Sequence, residues 1–146
     1  MTTVQSSGMR LTIGDKIDRI GAYFARIPQI KFAYVFGSGA RGDHGPASDL
    51  DVAVFLDRRV SSFAFRLRLI ETMMQELGTE RFDLIILNDA PPVLKYEVVR
   101  QGRVIKEDKK RRVEFEAKSL GEYLDTAYLR ETQQAYLKEQ LRNPST

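Results

Sequence analysis

The chain has 146 residues, no cysteine and a formal net charge of +3 at pH 7. This length fits one ordinary domain, and the lack of cysteine excludes disulfides, thiol catalysis and cysteine-ligated zinc. The sequence contains no run of eighteen apolar residues and no N-terminal apolar core of signal-peptide length, so we expect a cytoplasmic protein without a membrane span.

Apolar periodicity predicts one helix and two strands in the first part of the chain. The helix has apolar residues at three- and four-residue steps, namely Ile17, Ile20, Phe24 and Ile27. Pro28 ends it. The apolar run from Ile30 to Phe36 stops at a glycine and predicts a buried strand. The run from Asp49 to Leu56 predicts a central strand with acids at one end only, reached through a short helical turn.

The middle of the chain predicts the order helix, strand, helix, strand. The first of these helices ends at Gly78 and has its apolar stripe at Val60, Phe63, Leu67, Ile70, Met74 and Leu77. A strand from Phe82 to Leu87 follows. The next helix begins at Pro91-Pro92 and ends at Gly102, and a short strand covers Arg103 to Lys106.

The C-terminal segment, from Asp108 to about Leu141, is predicted to be helical with a break near Ser119 to Gly121. Alternating helices and strands require a sheet covered by helices. We therefore predict one α/β domain over residues 1–146, built on a small mixed sheet flanked by helices. Its core covers about residues 14–107, and a helical extension covers about residues 108–141.

The acidic residues at the strand ends indicate a metal site. Residues two apart in a strand share a face and lie roughly 6.5 to 7 Å apart, so Asp49 and Asp51 point the same way at the mouth of a buried sheet. Two such carboxylates repel each other unless a cation is present. Mg²⁺ prefers carboxylate and phosphate oxygens, and two ions can clamp the oxygens of a phosphoryl-type displacement. Asp83, at the start of another apolar run, is the candidate third ligand.

A Gly-Ser pair, Gly37 and Ser38, follows the first strand, and ten residues separate it from Asp49. The same stretch also satisfies the G-x-G-x-x-G pattern of dinucleotide-binding folds. That fold needs a crossover helix before the next strand, and the six residues from Asp43 to Ser48, which include a glycine and a proline, leave no room for one. A plain turn between strands is the other alternative.

The Gly-Ser pair, the Asp-x-Asp motif and a later strand-borne Asp together resemble the DNA polymerase β-like nucleotidyltransferase superfamily. The short chain and the residues G-S-G-A-R-G are similar to its minimal nucleotidyltransferase (MNT) branch, the antitoxin half of HEPN–MNT toxin–antitoxin pairs. The resemblance covers about residues 14–107 and implies a polymerase β-like fold.

The resemblance also implies roles for individual residues. Gly37 and Ser38 would hold the outer phosphates of the nucleotide. Asp49 and Asp51 would bind two Mg²⁺ ions. Asp83 would ligate the catalytic ion and help to deprotonate the incoming hydroxyl. Separately, Arg41 lies where it could contact a triphosphate, because arginine suits bidentate phosphate contacts, or it forms a surface ion pair.

The function implied by the resemblance is transfer of AMP from ATP to a hydroxyl, expected to be a tyrosine, of a cognate HEPN ribonuclease toxin. We expect a hetero-oligomer with that toxin and no direct contact with nucleic acid or membrane. One alternative is an antibiotic nucleotidyltransferase, although such enzymes usually add a drug-holding domain. Another is an antitoxin that neutralises by binding alone, through its helical extension.

Two features leave their alternatives open. His44, the single histidine, is either an exposed loop residue or a catalytic base. The basic block from Lys109 to Arg112 is either a solvated face or a surface for an acidic partner or RNA, and as a helix start it opposes the helix dipole.

Overall fold

The computed structural model describes residues 11–36, 50–60 and 62–142. The described helices and strands are α1 (Ile13–Ala25), β1 (Ile30–Phe36), β2 (Leu50–Leu56), α2 (Ser62–Leu77), β3 (Phe82–Ile86), α3 (Pro92–Gln101), β4 (Arg103–Lys106) and α4 (Lys109–Arg142). A short 3-10 turn, Leu87–Asp89, joins β3 to α3. The helical turn expected between β1 and β2 lies outside the described residues.

The four strands form one mixed sheet in the order β3-β2-β1-β4. Strand β1 is antiparallel to β2 and to β4, whereas β2 and β3 are parallel and are connected through α2. Strands β1 and β2 lie in the middle of the sheet, which explains why both are almost continuously apolar. The predicted α/β class, with a small mixed sheet flanked by helices, is confirmed.

One face of the sheet packs against α1 and α2. Helix α1 begins with a capping box, in which the Thr12 hydroxyl accepts from the Asp15 backbone N–H and the Asp15 carboxylate accepts from the Thr12 N–H. Its buried residues are Ile17, Ile20 and Phe24, as the periodicity predicted. At its other end, the Lys106 ammonium donates to the carbonyls of Phe24 and Ile27, at 2.7 and 2.6 Å. Lys106 therefore ties the last strand to the end of α1.

The buried stripe of α2 differs from the prediction. The sequence favoured a stripe through Phe63, Leu67 and Met74, but the exposed fractions of these residues are 73%, 54% and 37%. Leu77 is buried as predicted, but helix α2 otherwise packs Phe65, Leu69 and Met73 against the sheet, and Ile70 is only partly buried. Both sets of residues have helical spacing. The helix is oriented so that the set beginning at Phe65 contacts the sheet. Phe63 and Leu67 are left in solvent.

The opposite face packs against α3 and the first part of α4. The rings of Phe32 and Phe55 are stacked with centroids 4.8 Å apart. Phe115 of α4 contacts both at 5.4 Å. Leu94 and Val98 of α3 complete this second cluster. Because aromatic pairs add about 0.5 to 1.5 kcal/mol beyond their buried area, these rings hold α4 on the sheet.

Helix α4 is one continuous helix of 34 residues, so the predicted break near Ser119 to Gly121 was wrong. A glycine in a helix interior lowers helix stability by about 1 kcal/mol relative to alanine. The packing of Phe115 against the sheet offsets this loss. Ser119 is buried on the same inward face as Phe115, one turn earlier. Within the described ranges, no helix is both long and apolar enough to cross a membrane.

A polar network anchors the start of α4 to the sheet. The buried Tyr34 hydroxyl donates to a carboxylate oxygen of Glu116 at 2.6 Å. Arg112 donates to the same oxygen at 2.9 Å and also forms two hydrogen bonds to Glu107. Arg111 pairs with Asp108 at 3.2 Å. Two cations of the basic block thus have carboxylate partners, which offsets their unfavourable position at a helix start.

Replacement of Tyr34 by phenylalanine is expected to lower the free energy of unfolding at neutral pH by about 1.5 to 3 kcal/mol, the value of a hydrogen bond to a charged group. Burial and the Glu116 hydrogen bond raise the pKa of Tyr34 above its ordinary value. An unfolded tyrosine ionises near pH 10, whereas folded Tyr34 keeps its proton, so its contribution is complete below about pH 10 and is lost above it. Urea unfolding should show that the difference in free energy of unfolding between wild type and Tyr34→Phe is smaller above pH 10 than at pH 7. A constant difference would contradict this account.

Candidate active site

Two of the predicted acids occupy paired positions on neighbouring strands. Asp51 of β2 lies opposite Asp83 of β3 in the parallel ladder. Adjacent strands are about 4.8 Å apart, and paired residues of a ladder point to the same face. The register therefore places both carboxylates on one face, each at the second residue of its strand. The sequence predicted both acids, but not that they are direct partners.

The end of β1 lies at the same edge of the sheet. Phe36, its last residue, pairs with Asp51. The next residues in the sequence are Gly37 and Ser38, and Asp49 directly precedes β2. Gly37, Ser38, Arg41, His44 and Asp49 all lie outside the described residues. Their predicted roles stay predictions, although the strand ends to which they are joined meet at Asp51.

The two carboxylates sit on the face of the sheet covered by α3 and α4. Successive residues of a strand point to opposite faces. Val52 packs under α1 and α2, so Asp51 points to the other face, together with Ala53. Asp83 likewise shares its face with Ile85. Asp51 is half-buried and Asp83 is exposed. The pair thus has an apolar floor on one side and is open to solvent on the other.

The donor set fits a hard divalent cation. Paired carboxylates supply the oxygen ligands that Mg²⁺ prefers, and an open side leaves room for the waters and phosphate oxygens that usually complete its shell. Within residues 11–36, 50–60 and 62–142, no three acidic or histidine side chains gather around one point. Asp49, the predicted additional ligand, lies outside those ranges. Asp51 and Asp83 would accordingly hold the metal from one side.

The sequence did not predict a groove along β3. It has a volume of about 380 Å³ and is lined by Phe63, Arg66, Leu84, Ile85, Ile86, Asp89, Ala90 and Leu94. The periodicity predicts Phe63 in the core and so gives no sign of this surface. The available signal was the competing stripe through Phe65, Leu69 and Met73.

Comparison with known families identifies the family of the chain. The polymerase beta nucleotidyltransferase model matches residues 18–111, which include both described acids and the Gly-Ser pair. The chain belongs to the polymerase β nucleotidyltransferase family. The resemblance in the motifs and the fold expected from it are both confirmed.

A curated relative is the protein adenylyltransferase MntA of Shewanella oneidensis, which is 34% identical over 77 residues. The match covers 53% of this chain and 54% of MntA, so the chain spans about half the length of the relative it matches.

Solved structures of similar fold are toxin–antitoxin proteins. One, a toxin–antitoxin structure with AMP-PNP, is 26% identical with a TM-score of 0.67, covering 86% of this chain and 98% of its own. Another, from an MntA–HepT toxin–antitoxin complex, is 25% identical with a TM-score of 0.60, covering 86% and 96%.

Asp51→Asn should abolish the Mg²⁺-dependent stabilisation of this protein by ATP. Without metal, its melting temperature should equal that of wild type or slightly exceed it, because repulsion between neighbouring carboxylates is relieved. Ligand at about a hundred times its Kd adds about 2.7 kcal/mol, or several degrees in melting temperature for a domain of this size. Thermal melting with and without MgATP measures both effects.

Asp125→Asn is the matched control, because it removes an exposed carboxylate of α4 far along the chain from the motif. It should keep the full MgATP shift. An Asp51→Asn protein that MgATP still stabilises by the wild-type amount would exclude Asp51 as a metal ligand.

Proposed function

We propose that this protein transfers AMP from ATP to a hydroxyl of a cognate HEPN toxin and acts as the antitoxin of that pair. The observation that carries the proposal is the pairing of Asp51 with Asp83 at the edge where β1 leads into Gly37 and Ser38. This arrangement supports a phosphate-holding turn and a carboxylate pair that work on one triphosphate. Membership of the nucleotidyltransferase family supports the reaction class.

The reaction balances without any further reactant. The acceptor oxygen forms a bond to the α-phosphorus of ATP as the bond from that phosphorus to the β-phosphate oxygen breaks. AMP stays on the acceptor, pyrophosphate leaves, and the hydroxyl proton passes to the carboxylate of Asp83 and then to solvent. Such displacements depend on positioning and on charge neutralisation more than on covalent chemistry by the protein.

The residues divide this work between them. Asp51, with Asp49, would hold two Mg²⁺ ions, and Asp83 would complete the ligands of one of them. Bound there, Mg²⁺ would neutralise triphosphate charge and lower the pKa of the acceptor hydroxyl. Gly37 and Ser38 would position the leaving pyrophosphate through backbone N–H groups, and Arg41 would contact the same phosphates. Asp83 faces solvent, where an acceptor can reach it.

The named relatives favour a protein acceptor over an antibiotic. The curated relative is a protein adenylyltransferase, and the two solved neighbours are toxin–antitoxin structures, one of them with the ATP analogue AMP-PNP. We therefore propose ATP as donor, a tyrosine of the HEPN toxin as acceptor, and a hetero-oligomer of the two proteins. We also propose that the reaction takes place in the cytoplasm, where ATP is abundant.

A specific observation supports neutralisation by binding alone as a second candidate. Every residue of α4 from Glu131 to Arg142 is exposed, and these residues include Tyr136, Leu137 and Leu141. A protruding helix with apolar side chains is suited to a helical partner. Binding and modification predict different chemical states of the released toxin, so one experiment separates them.

Incubation with this protein, ATP and Mg²⁺ should leave the toxin inactive and heavier by one AMP or a small multiple of it. The assay uses a HEPN-family protein, sought first among the genes beside the one for this chain. It should be separated from the antitoxin before intact mass spectrometry and an RNA-cleavage assay, because only a covalent change survives separation.

Asp83→Asn tests the catalytic role independently of nucleotide binding. It should bind MgATP, since the Gly-Ser turn and the other acids remain, yet leave the toxin mass unchanged. Full recovery of toxin released at unchanged mass from the wild-type protein, together with equal protection by Asp51→Asn at stoichiometric dose, would reject modification in favour of binding alone.

A further inference from the structure

The sheet has two edge strands, and they differ in how their charges are distributed. Strand β4 reads Arg-Val-Ile-Lys, so a cation stands at each end of its four residues. Strand β3 reads Phe-Asp-Leu-Ile-Ile and has no charge after Asp83. Natural sheets usually protect an edge with lysine, proline, a bulge or a covering element, because unpaired backbone groups attract further strands. Within the described part of the chain, the outer edge of β3 pairs with no other strand.

The space beside this edge is a groove. Its floor is Leu84, Ile85 and Ile86, and its walls are the start of α2 on one side and the start of α3 on the other. Phe63 stands on the α2 wall with 73% of its surface exposed, although phenylalanine usually favours burial. Leu94 stands on the α3 wall. Apolar walls on both sides of an outer strand edge match an extended peptide with side chains pointing alternately to each wall.

The groove also offers charges of both signs. Arg66 lies on the α2 wall and Asp89 on the α3 side. Both are exposed. A peptide that adds to a sheet edge gains affinity from main-chain hydrogen bonds and specificity from pockets for alternate side chains. The opposite charges supply such specificity without favouring a highly acidic or highly basic partner.

The groove is continuous with the candidate active site through β3 itself. Asp83 begins the strand, and the groove covers the residues directly after it. At about 3.3 Å per residue, Asp83 and Ile86 are roughly 10 Å apart along the strand. A bound segment paired with β3 would therefore have one residue beside Asp83. Its residues two to four positions further along would lie in the groove.

We propose that the outer edge of β3 binds an extended segment of the acceptor protein as an added strand, with the hydroxyl-bearing residue held beside Asp83. This inference rests on the proposed function and adds the surface that selects the acceptor. The backbone of β3 sets the direction of the segment. Phe63 and Leu94 bind the side chains that flank the acceptor residue, and Arg66 and Asp89 discriminate among sequences.

Phe63→Ser tests the groove against a matched control on the same helix. The side chain of Phe63 is largely exposed, so the variant should fold with the melting temperature of wild type and keep its MgATP shift. The KM for the HEPN toxin should rise by about tenfold or more, the loss typical of an aromatic anchor at an interface. Leu67→Ser, one turn further along α2, removes another exposed apolar side chain outside the groove, and its KM should match that of wild type.

Amide hydrogen exchange tests the added strand directly. The complex of the toxin with the Asp51→Asn protein, which does not turn over, should protect the outward amides of Leu84 to Ile86 relative to the free protein. When the toxin is modified, the proposal requires both the KM effect and this protection, and either result missing overturns it. A wild-type protein that modifies the toxin, with Phe63→Ser equally active, would reject the groove and leave the proposed function standing. A toxin that binds but is never modified would reject the proposed function, while exchange at β3 would still decide the docking surface.

Discussion

The parallel pairing of β2 with β3 is the constraint on which the candidate active site depends. In this register Asp51 is the partner of Asp83, and a shift by one residue would turn one of the two carboxylates to the other face. The register is held by apolar alternation, since Val52, Val54, Leu84 and Ile86 all fill the core beneath α1 and α2. The site is thus positioned by hydrophobic burial on the opposite face of the same strands.

A side chain fixes β2 and β3 to each other at the end of the two strands opposite to the acids. Asn88, just after β3, donates to the carbonyl of Leu56 and accepts from its N–H, both at 2.9 Å. It therefore closes the end of β2 as a neighbouring strand would, and satisfies two backbone groups that would otherwise be exposed at the strand end. Apolar packing along β2 and β3, together with this clamp, leaves little freedom for the two acids to move apart.

Much of this arrangement could be predicted from the sequence because acids are rare at the start of buried strands. The Asp-x-Asp motif and Asp83 stood out for that reason, and the order of helices and strands followed from periodicity. The pairing of the two acids and two features of the helices could not be predicted. Helix α2 has two overlapping apolar stripes, through Phe63 or through Phe65, and only contact with the sheet selects between them. The continuity of α4 through Gly121 likewise depends on tertiary packing, which overrides local helix propensity.

Helix α4 is packed in its first part and exposed in its last part, and the two parts differ in helix stability. The inward face is covered by the sheet and α3 only as far as Arg130, which lies over the Tyr123 ring at 4.2 Å. Beyond that point the helix continues for about three turns in which every residue is exposed, and isolated helices of that length are marginal in water. The packed part of α4 acts as the helix nucleus. The exposed part needs no nucleation of its own, since each further turn only propagates an existing helix. The distal segment should therefore fray from its C-terminal end inward, and a partner that covers it would recover helical order as part of its binding free energy.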